Sequence, residues 1–334
     1  MSIRVAIIGL GVVGKKRKFF IEKNKNYKLV AASDIRFKKD FSRNGVKYFK
    51  NYQDILKLRY IDAIFVTLPN YLSAKVTKEA LRKKIHVFCE KPPAKNYNEL
   101  SKVQKYLKSS LILKYGFNHR YHGSIKLAKQ FIDKKKLGKI LNVRGLYGKS
   151  KILTYTKTDW RSKKKYAGGG ILTDQGIHML DIMRLFCGDF IEIKSLVSNK
   201  FWNYDVEDDV FAIMRTKNNI LASLHSTAVQ WEHKFRLEIS LEKGSIICNG
   251  ILSGSKTYGR ESINIKMNNN KYQLRNYKQE KYTFSKDNSW KEEIDEFANL
   301  VKNKSPVKIG NLKDALKVMK MINLIYKNDK KLLK

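Results

Sequence analysis

The chain is short of cysteine: three in 334 residues, Cys89, Cys187 and Cys248, widely spaced and with no CxxC pair. That excludes a disulfide framework and a cysteine-based zinc module, and reads as reduced core thiols in a cytoplasmic protein. Long apolar runs are missing as well. Stretches such as "AIFVTL" at 63–68 fall far below the roughly 18 residues a membrane span needs, so no membrane partner is expected. The first strand pattern begins at Ile3, and no signal peptide is expected ahead of it. Acidic residues are scarce too, 30 Asp plus Glu against 69 Lys plus Arg, for a formal charge of +39. The excess is lysine in short scattered runs, "KKRK" at 15–18, "DKKK" at 133–136 and "KKK" at 163–165. Arginine, the better reader of phosphate and base, is the minority cation. We read solvated lysine faces and no nucleic-acid partner; an acidic substrate such as a uronate or nucleotide sugar is compatible with the charge.

What is present describes a globular protein of 43% hydrophobic and 30% charged residues, long enough for two domains. Its first part alternates near-continuous apolar strands with amphipathic helices: "IRVAIIGL" (3–10), a helix from about Val12 to Lys23, "KLVAASD" (28–34), the short helix "NYQDILKL", "IDAIFVTL", the helix "SAKVTKEALRK", "IHVFCE", the helix "YNELSKVQKYL" and "LILKYGF". Such alternation predicts a parallel, doubly wound sheet over residues 1–120. From 121 to 334 the pattern predicts an α+β domain with a large, mostly antiparallel sheet. Hairpins turn at Asn218–Asn219 and Lys243–Gly244, "KMNNNKYQLRNYKQEKY" (266–282) reads as an exposed hairpin or loop, and two closing helices open at Ser289 and Asn311. One face of that sheet has no evident helical cover. A homodimer or homotetramer formed through it is expected.

Gly9, Gly11 and Gly14 form GxGxxG around Val12 and Val13, directly after the first strand and at the start of a helix. Glycine allows the tight turn and lets backbone amides approach a pyrophosphate at the positive helix end. Asp34 ends the second strand 20 residues past Gly14, where an acid binds ribose hydroxyls. This predicts NAD as cofactor, with NADP possible because Arg36, two residues on past Ile35, can accept a 2′-phosphate. Thr67, Leu68, Pro69 and Asn70 follow one buried strand, and Glu90 with Lys91 ends another. Strand ends of this kind line the ligand crevice of a doubly wound sheet, so these residues are expected at the cofactor and Lys91 at its mouth.

"GGGILTDQGIHMLD" (168–181) carries Asp174, His178 and Asp181 among apolar neighbours. At about 100° per residue, His178 falls about 40° and Asp181 about −20° from Asp174. All three share one stripe of a largely buried helix. Buried charge is costly unless paired or used, so the stripe faces a polar site or forms a structural network. A metal reading is disfavoured, because no further His or Cys cluster completes a ligand set.

"GLGVVG", "TLPN", "EKPPA", "GFNHR" (116–120) and the glycine-triplet segment, in this order, resemble the Gfo/Idh/MocA family of oxidoreductases, over at least residues 3–188. The resemblance implies that Lys91 is the lysine beside nicotinamide and substrate, and that Asp174 and His178 are the acid–base pair. It further implies that Arg120 follows the sixth strand near cofactor and substrate, and that Trp160 and Arg161 belong to a substrate loop; Asp181 reads either as a substrate contact or as the cap of a structural hydrogen-bond network. Two positions depart from the family pattern: Ser73 stands where histidine is frequent, and Pro93 replaces an aliphatic residue. An Asp and His at i, i+4 can hydrogen-bond, the carboxylate orienting the imidazole and raising its basicity. The implied activity is hydride transfer between nicotinamide and a secondary hydroxyl of a sugar, sugar nucleotide or cyclitol. Alternatives with the same fold are a dinucleotide-binding sensor and an NAD-dependent glycosidase. His119, His122, His225 and His233 read as ordinary loop or strand residues.

Overall fold

Seven strands form the first sheet of the computed structural model, which describes residues 2–151, 159–254, 256–268 and 277–329. They are β1 (Ile3–Ile8), β2 (Tyr27–Ser33), β3 (Phe41–Arg43), β4 (Val46–Phe49), β5 (Ala63–Val66), β6 (His86–Glu90) and β7 (Leu113–Gly116), in the order β3-β4-β2-β1-β5-β6-β7. All pair in parallel except β3 with β4. Helices α1 (Val12–Glu22), α2 (Tyr52–Leu56), α3 (Asn70–Arg82) and α4 (Tyr97–Ser101) alternate with the strands. The β3–β4 hairpin was not foreseen by the alternation. Its signal is Asn44–Gly45, both at positive φ (51° and 73°), the two-residue turn that Asn-Gly favours.

The compact unit around this sheet comprises Met1–Phe117, Lys165–Gly168 and Trp290–Leu316. Its main segment ends at Phe117, and residues 290–316 join it from far along the chain. The reason is hydrophobic. Helix α8 (Ser289–Asn303), numbered after α5–α7 below, buries Ile294, Phe297 and Ala298 in the same core as Val5, Phe65 and Phe88. Phe297 meets Phe65 and Phe88 edge-on at 5.4 and 5.5 Å. Each such ring contributes about 1.5–3 kcal/mol by burial, which is ample to fix where the helix docks.

The second unit, Asn118–Lys164, Gly169–Ser289 and Lys317–Lys334, contains an eight-stranded sheet. Its strands are β8 (Ile140–Ser150), β9 (Phe190–Ser198), β10 (Asp209–Thr216), β11 (Leu221–Gln230), β12 (Lys234–Leu241), β13 (Gly244–Asn249), β14 (Glu261–Met267) and β15 (Lys278–Phe284). The order is β15-β14-β13-β12-β8-β11-β10-β9, and every pairing is antiparallel except β8 with β11. Of the segment 266–282 read as an exposed hairpin or loop, residues 269–276 lie outside the described residues. Helices α5 (Gly123–Asp133) and α7 (Ile177–Cys187) pack on this sheet, while the single-turn α6 (Lys164–Ala167) precedes the glycine triplet. A Cβ on Gly145 of β8 would fall 2.7 Å from Met179 Cγ, so α7 lies directly against the strand. The opposite face exposes Leu196 (72%), Phe211 (52%) and Ile213 (63%), the uncovered face that the strand pattern anticipates. Helix α9 (Leu312–Asn328) closes the chain, with Asn311 Oδ1 accepting the Asp314 amide at 2.8 Å as its cap. At the start of α8 the Ser289 hydroxyl donates to Asp287 at 2.6 Å. All three cysteines are buried and unbridged, and no described helix is long and apolar enough to cross a membrane.

Candidate active site

In the first unit, β1 ends in a glycine turn that admits no side chain at Gly9 or Gly14. Gly9 has φ +97°, and a Cβ there would lie 2.6 Å from the Thr67 carbonyl oxygen. A Cβ on Gly14 would lie 1.9 Å from the Gly9 carbonyl oxygen. Gly11 is different: a Cβ there would meet nothing within 4 Å, so the fold itself does not demand glycine at that point. Helix α1 begins at Val12 with no side-chain cap and no acid in its first turn, leaving its amides for an anion. Val12 and Ile35 stand 88% and 80% exposed beside the turn, and Val13 is half-buried. A dinucleotide fits this cradle.

Asp34 accepts the Leu10 amide at 2.8 Å and both Nε and a terminal nitrogen of Arg36 at 2.7 Å. That guanidinium draws the carboxyl down to about 2. The same Arg36 nitrogen also reaches the Leu10 carbonyl at 2.8 Å, so acid and arginine stand together where the ribose is expected. Thr67 braces the turn, its hydroxyl donating to the Gly9 carbonyl at 2.5 Å. Asn70 is buried and donates to the Ala167 carbonyl at 2.7 Å. Ser73, buried at the start of α3, turns its hydroxyl back on the Leu68 and Pro69 carbonyls at 3.3 Å. Leu68 and Pro69 lead into α3, and Lys91 follows the last residue of β6, half-buried. Glu90 is drawn inward: its carboxylate accepts from the buried Arg17 Nε at 2.6 Å.

In the second unit the glycine triplet leads into a π-turn, Leu172–Gly176, ahead of α7. This alters the stripe read at 100° per residue, because a π-turn advances less per residue than an α-helix and swings its side chains out of phase. Asp174 is half-buried and accepts from Lys149 Nζ at 3.3 Å and Gln175 Nε2 at 3.1 Å. His178 is 2% exposed, and its ring stacks on His119 with centroids 3.6 Å apart and planes 15° off parallel. Asp181 is 1% exposed and takes both Arg120 Nε and a terminal nitrogen, at 2.6 and 2.5 Å. Arg120 and Asp181 thus form a buried ion pair, while Asp174 is paired with Lys149 and His178 lies against His119. Trp160 and Arg161 form a 3-10 turn capped by Asp159, with the guanidinium 4.4 Å over the indole. The rest of that expected loop, 152–158, lies outside the described residues.

Two independent stretches match known families. Residues 3–116 match the oxidoreductase family NAD-binding Rossmann fold, and residues 125–247 match the GFO/IDH/MocA C-terminal domain. The chain belongs to the Gfo/Idh/MocA family. It is similar to the glucose-6-phosphate 3-dehydrogenase of Bacillus subtilis, 32% identical over 199 residues, which are 56% of this chain and 55% of that protein. It is also similar to the levoglucosan dehydrogenase of Pseudarthrobacter phenanthrenivorans, 25% identical over 297 residues and 74% of each chain. The fold of KijD10, a 3-ketoreductase from Actinomadura kijaniata crystallised with NADP and TDP-benzene, superposes with a TM-score of 0.83 at 19% identity, over 98% of both chains. The protein is an NAD(P)-dependent oxidoreductase acting on CH–OH groups.

For a Gfo/Idh/MocA oxidoreductase, three residues around the π-turn escaped the sequence reading. Lys149 lies two positions beyond Tyr147 on the same face of β8, a period-two signal that was there to be used. Glu207 is buried and accepts the Gly170 and Leu172 amides at 2.7 and 3.0 Å, and the Tyr326 hydroxyl at 2.8 Å. It clamps the start of the π-turn, and burial raises its pKa. A Cβ on Gly169 would lie 2.0 Å from the Tyr326 hydroxyl, which explains why this part of the triplet is glycine. His119 is no ordinary loop residue, given its stack on His178. His122 pairs with Glu261 at 2.7 Å, His225 with Asp209 at 2.8 Å, and His233 accepts the Ser150 amide at 3.3 Å, each in a structural contact. Among the described residues no group of His, Cys, Asp and Glu could hold a metal ion.

Proposed function

We propose that this oxidoreductase transfers hydride between a secondary carbinol carbon of a sugar, sugar nucleotide or cyclitol and nicotinamide, with His178 taking the hydroxyl proton. Nicotinamide dinucleotide, when bound, supplies the hydride acceptor. The chain supplies the rest. Gly9, Gly11, Gly14 and the first amides of α1 hold the pyrophosphate, and Asp34 takes the ribose hydroxyls. Asp174, one turn before His178, orients the imidazole and is itself steadied by Lys149. Lys91 stabilises the alkoxide that develops as the proton leaves, or relays that proton. General acid–base groups of this kind typically contribute about 10²- to 10⁴-fold each.

The observation that carries the reading is the His178 imidazole, 2% exposed, one helical turn after a carboxylate that is itself ion-paired to Lys149 at 3.3 Å. The names of its relatives, dehydrogenases of glucose 6-phosphate and of levoglucosan, support a sugar-type substrate. Asp34 favours NAD, and Arg36 leaves NADP open. The uncovered sheet face around Phe211 supports a homodimer or homotetramer, and the three buried thiols fit a cytoplasmic setting. The experiment is to follow nicotinamide absorbance with NAD and NADP while myo-inositol, free sugars, uronates and nucleotide sugars are offered. Turnover with one of them, lost in His178→Ala, is the expected result. Silence with every substrate class would favour a dinucleotide sensor. Retained turnover in His178→Ala would remove the proton role.

A further inference from the structure

His119 comes from the turn after β7 and His178 from α7, and their rings lie face to face at 3.6 Å. Which of the two carries a proton can be read outward from a distant carboxylate. Asp287 can only accept, and takes the Ser289 amide at 3.0 Å and the Ser289 hydroxyl at 2.6 Å. Having donated its proton there, the Ser289 oxygen receives the Asn118 Nδ2 donor at 3.1 Å. The Asn118 carbonyl oxygen therefore faces His119 Nδ1, 3.2 Å away. An amide oxygen only accepts, so Nδ1 bears hydrogen. On the other side His119 Nε2 is 2.9 Å from the Tyr147 hydroxyl. Burial pushes the Tyr147 phenol well above its ordinary range, so it keeps its proton and can donate it to Nε2. Both ring nitrogens of His119 are satisfied in one neutral tautomer.

We infer that His119 is a positioning residue, a neutral imidazole held as the Nδ1–H tautomer, which directs the single proton of the stacked pair onto His178. Two like charges about 4 Å apart repel by about 4 kcal/mol even at an effective dielectric of 20, so the pair accepts one proton and not two. A neutral ring face beneath an imidazolium is attractive in the manner of a cation over an aromatic. Other charges near the pair come largely matched. Lys149 of β8 answers Asp174 of the π-turn, Arg120 answers Asp181 of α7, and Glu261 of β14 holds His122, whose ring is 5.3 Å from His119. Beyond Tyr147 stand Tyr258 and, against it, His233, whose pKa burial lowers. The inference deepens the proposed function only in what His178 does with the proton; the tautomer and the titration stand apart from it.

The test is imidazole nitrogen NMR of the full chain across pH 5–8, with Asn118→Asp and His119→Phe beside the unmodified protein. We expect His119 to hold its Nδ1–H tautomer without titrating while His178 titrates in one step. His119→Phe keeps a neutral ring and leaves the His178 midpoint within about half a unit. Asn118→Asp places a carboxylate on Nδ1, draws the proton to His119 and lowers the His178 midpoint by at least about one unit, with the acid limb of kcat following it. His119 titrating in the unmodified protein, a His178 midpoint that rises by a unit or more in His119→Phe, or one unmoved in Asn118→Asp would each overturn the inference. Failure of the proton role itself reads out separately, as turnover surviving His178→Ala with these titrations intact.

Discussion

Arg120 and Asp181 form a two-pronged ion pair, 2.6 and 2.5 Å, with side chains only 4% and 1% exposed. It pins the turn after β7 to α7, and so sets the height at which His119 meets His178. Removing one partner of such a pair strands the other charge. Asp181→Ala is expected to destabilise the protein by about 3–5 kcal/mol, read as a lowered urea midpoint at neutral pH. A midpoint within experimental error of the unmodified chain would show that the pair is dispensable.

In the proposed function the Asp34–Arg36 pair sets dinucleotide choice. Arg36→Ala removes the cation available to a 2′-phosphate and leaves Asp34 to the ribose, so NADPH binding weakens by about tenfold, roughly 1.4 kcal/mol, while NADH binding holds. Asp34→Ser shifts preference the other way. Quenching of intrinsic fluorescence by each dinucleotide measures both; parallel losses for NADH and NADPH would refute the assignment.

Glu293 of α8 shares the buried guanidinium of Arg17 with Glu90. Burial lifts its carboxyl to about 7; Arg17 lowers it and the second carboxylate, Glu90, raises it. Between its ordinary value and about 7 the folded chain therefore holds a proton that the unfolded chain releases. Stability contributed by this group is present at low pH and lost as pH rises through that window. Glu293→Gln is expected to flatten the decline in denaturation midpoint between pH 5 and pH 8, an effect on the order of 2 kcal/mol. An unchanged slope would place the titration elsewhere.

Phe211 stacks on His225 at 3.9 Å and pairs across the strand with Leu196, on the uncovered face of the second sheet. A charge placed in an apolar interface is left desolvated and unpaired. If the proposed dimer or tetramer forms through this face, the unmodified chain sediments as that assembly at micromolar concentration and Phe211→Asp as monomer. If sedimentation is the same for both proteins, the interface lies on another face.

Much of this was written locally. Apolar continuity made β1, β5 and β6 inner parallel strands, alternation made β10 and β11 a half-covered hairpin, and GxGxxG marked the tight turn after β1, because each signal depends on neighbours within one turn or one strand. The segment 168–181 also announced a polar site by its three ionisable groups. What it did there was decided by partners far away in sequence. Asp181 became structural because Arg120, 61 residues earlier, closes on it. Asp174 stands in a π-turn, its start held by Glu207 and Tyr326, that no spacing rule foretells. His119 became the face of His178 because a chain of one-way donors from Asp287 fixes it, and the docking of α8 into the first core followed from Phe297 meeting Phe65 and Phe88. Periodicity fixes which face of an element is apolar; only the packed chain decides which buried charge finds a partner, since that depends on contacts made across tens to hundreds of residues.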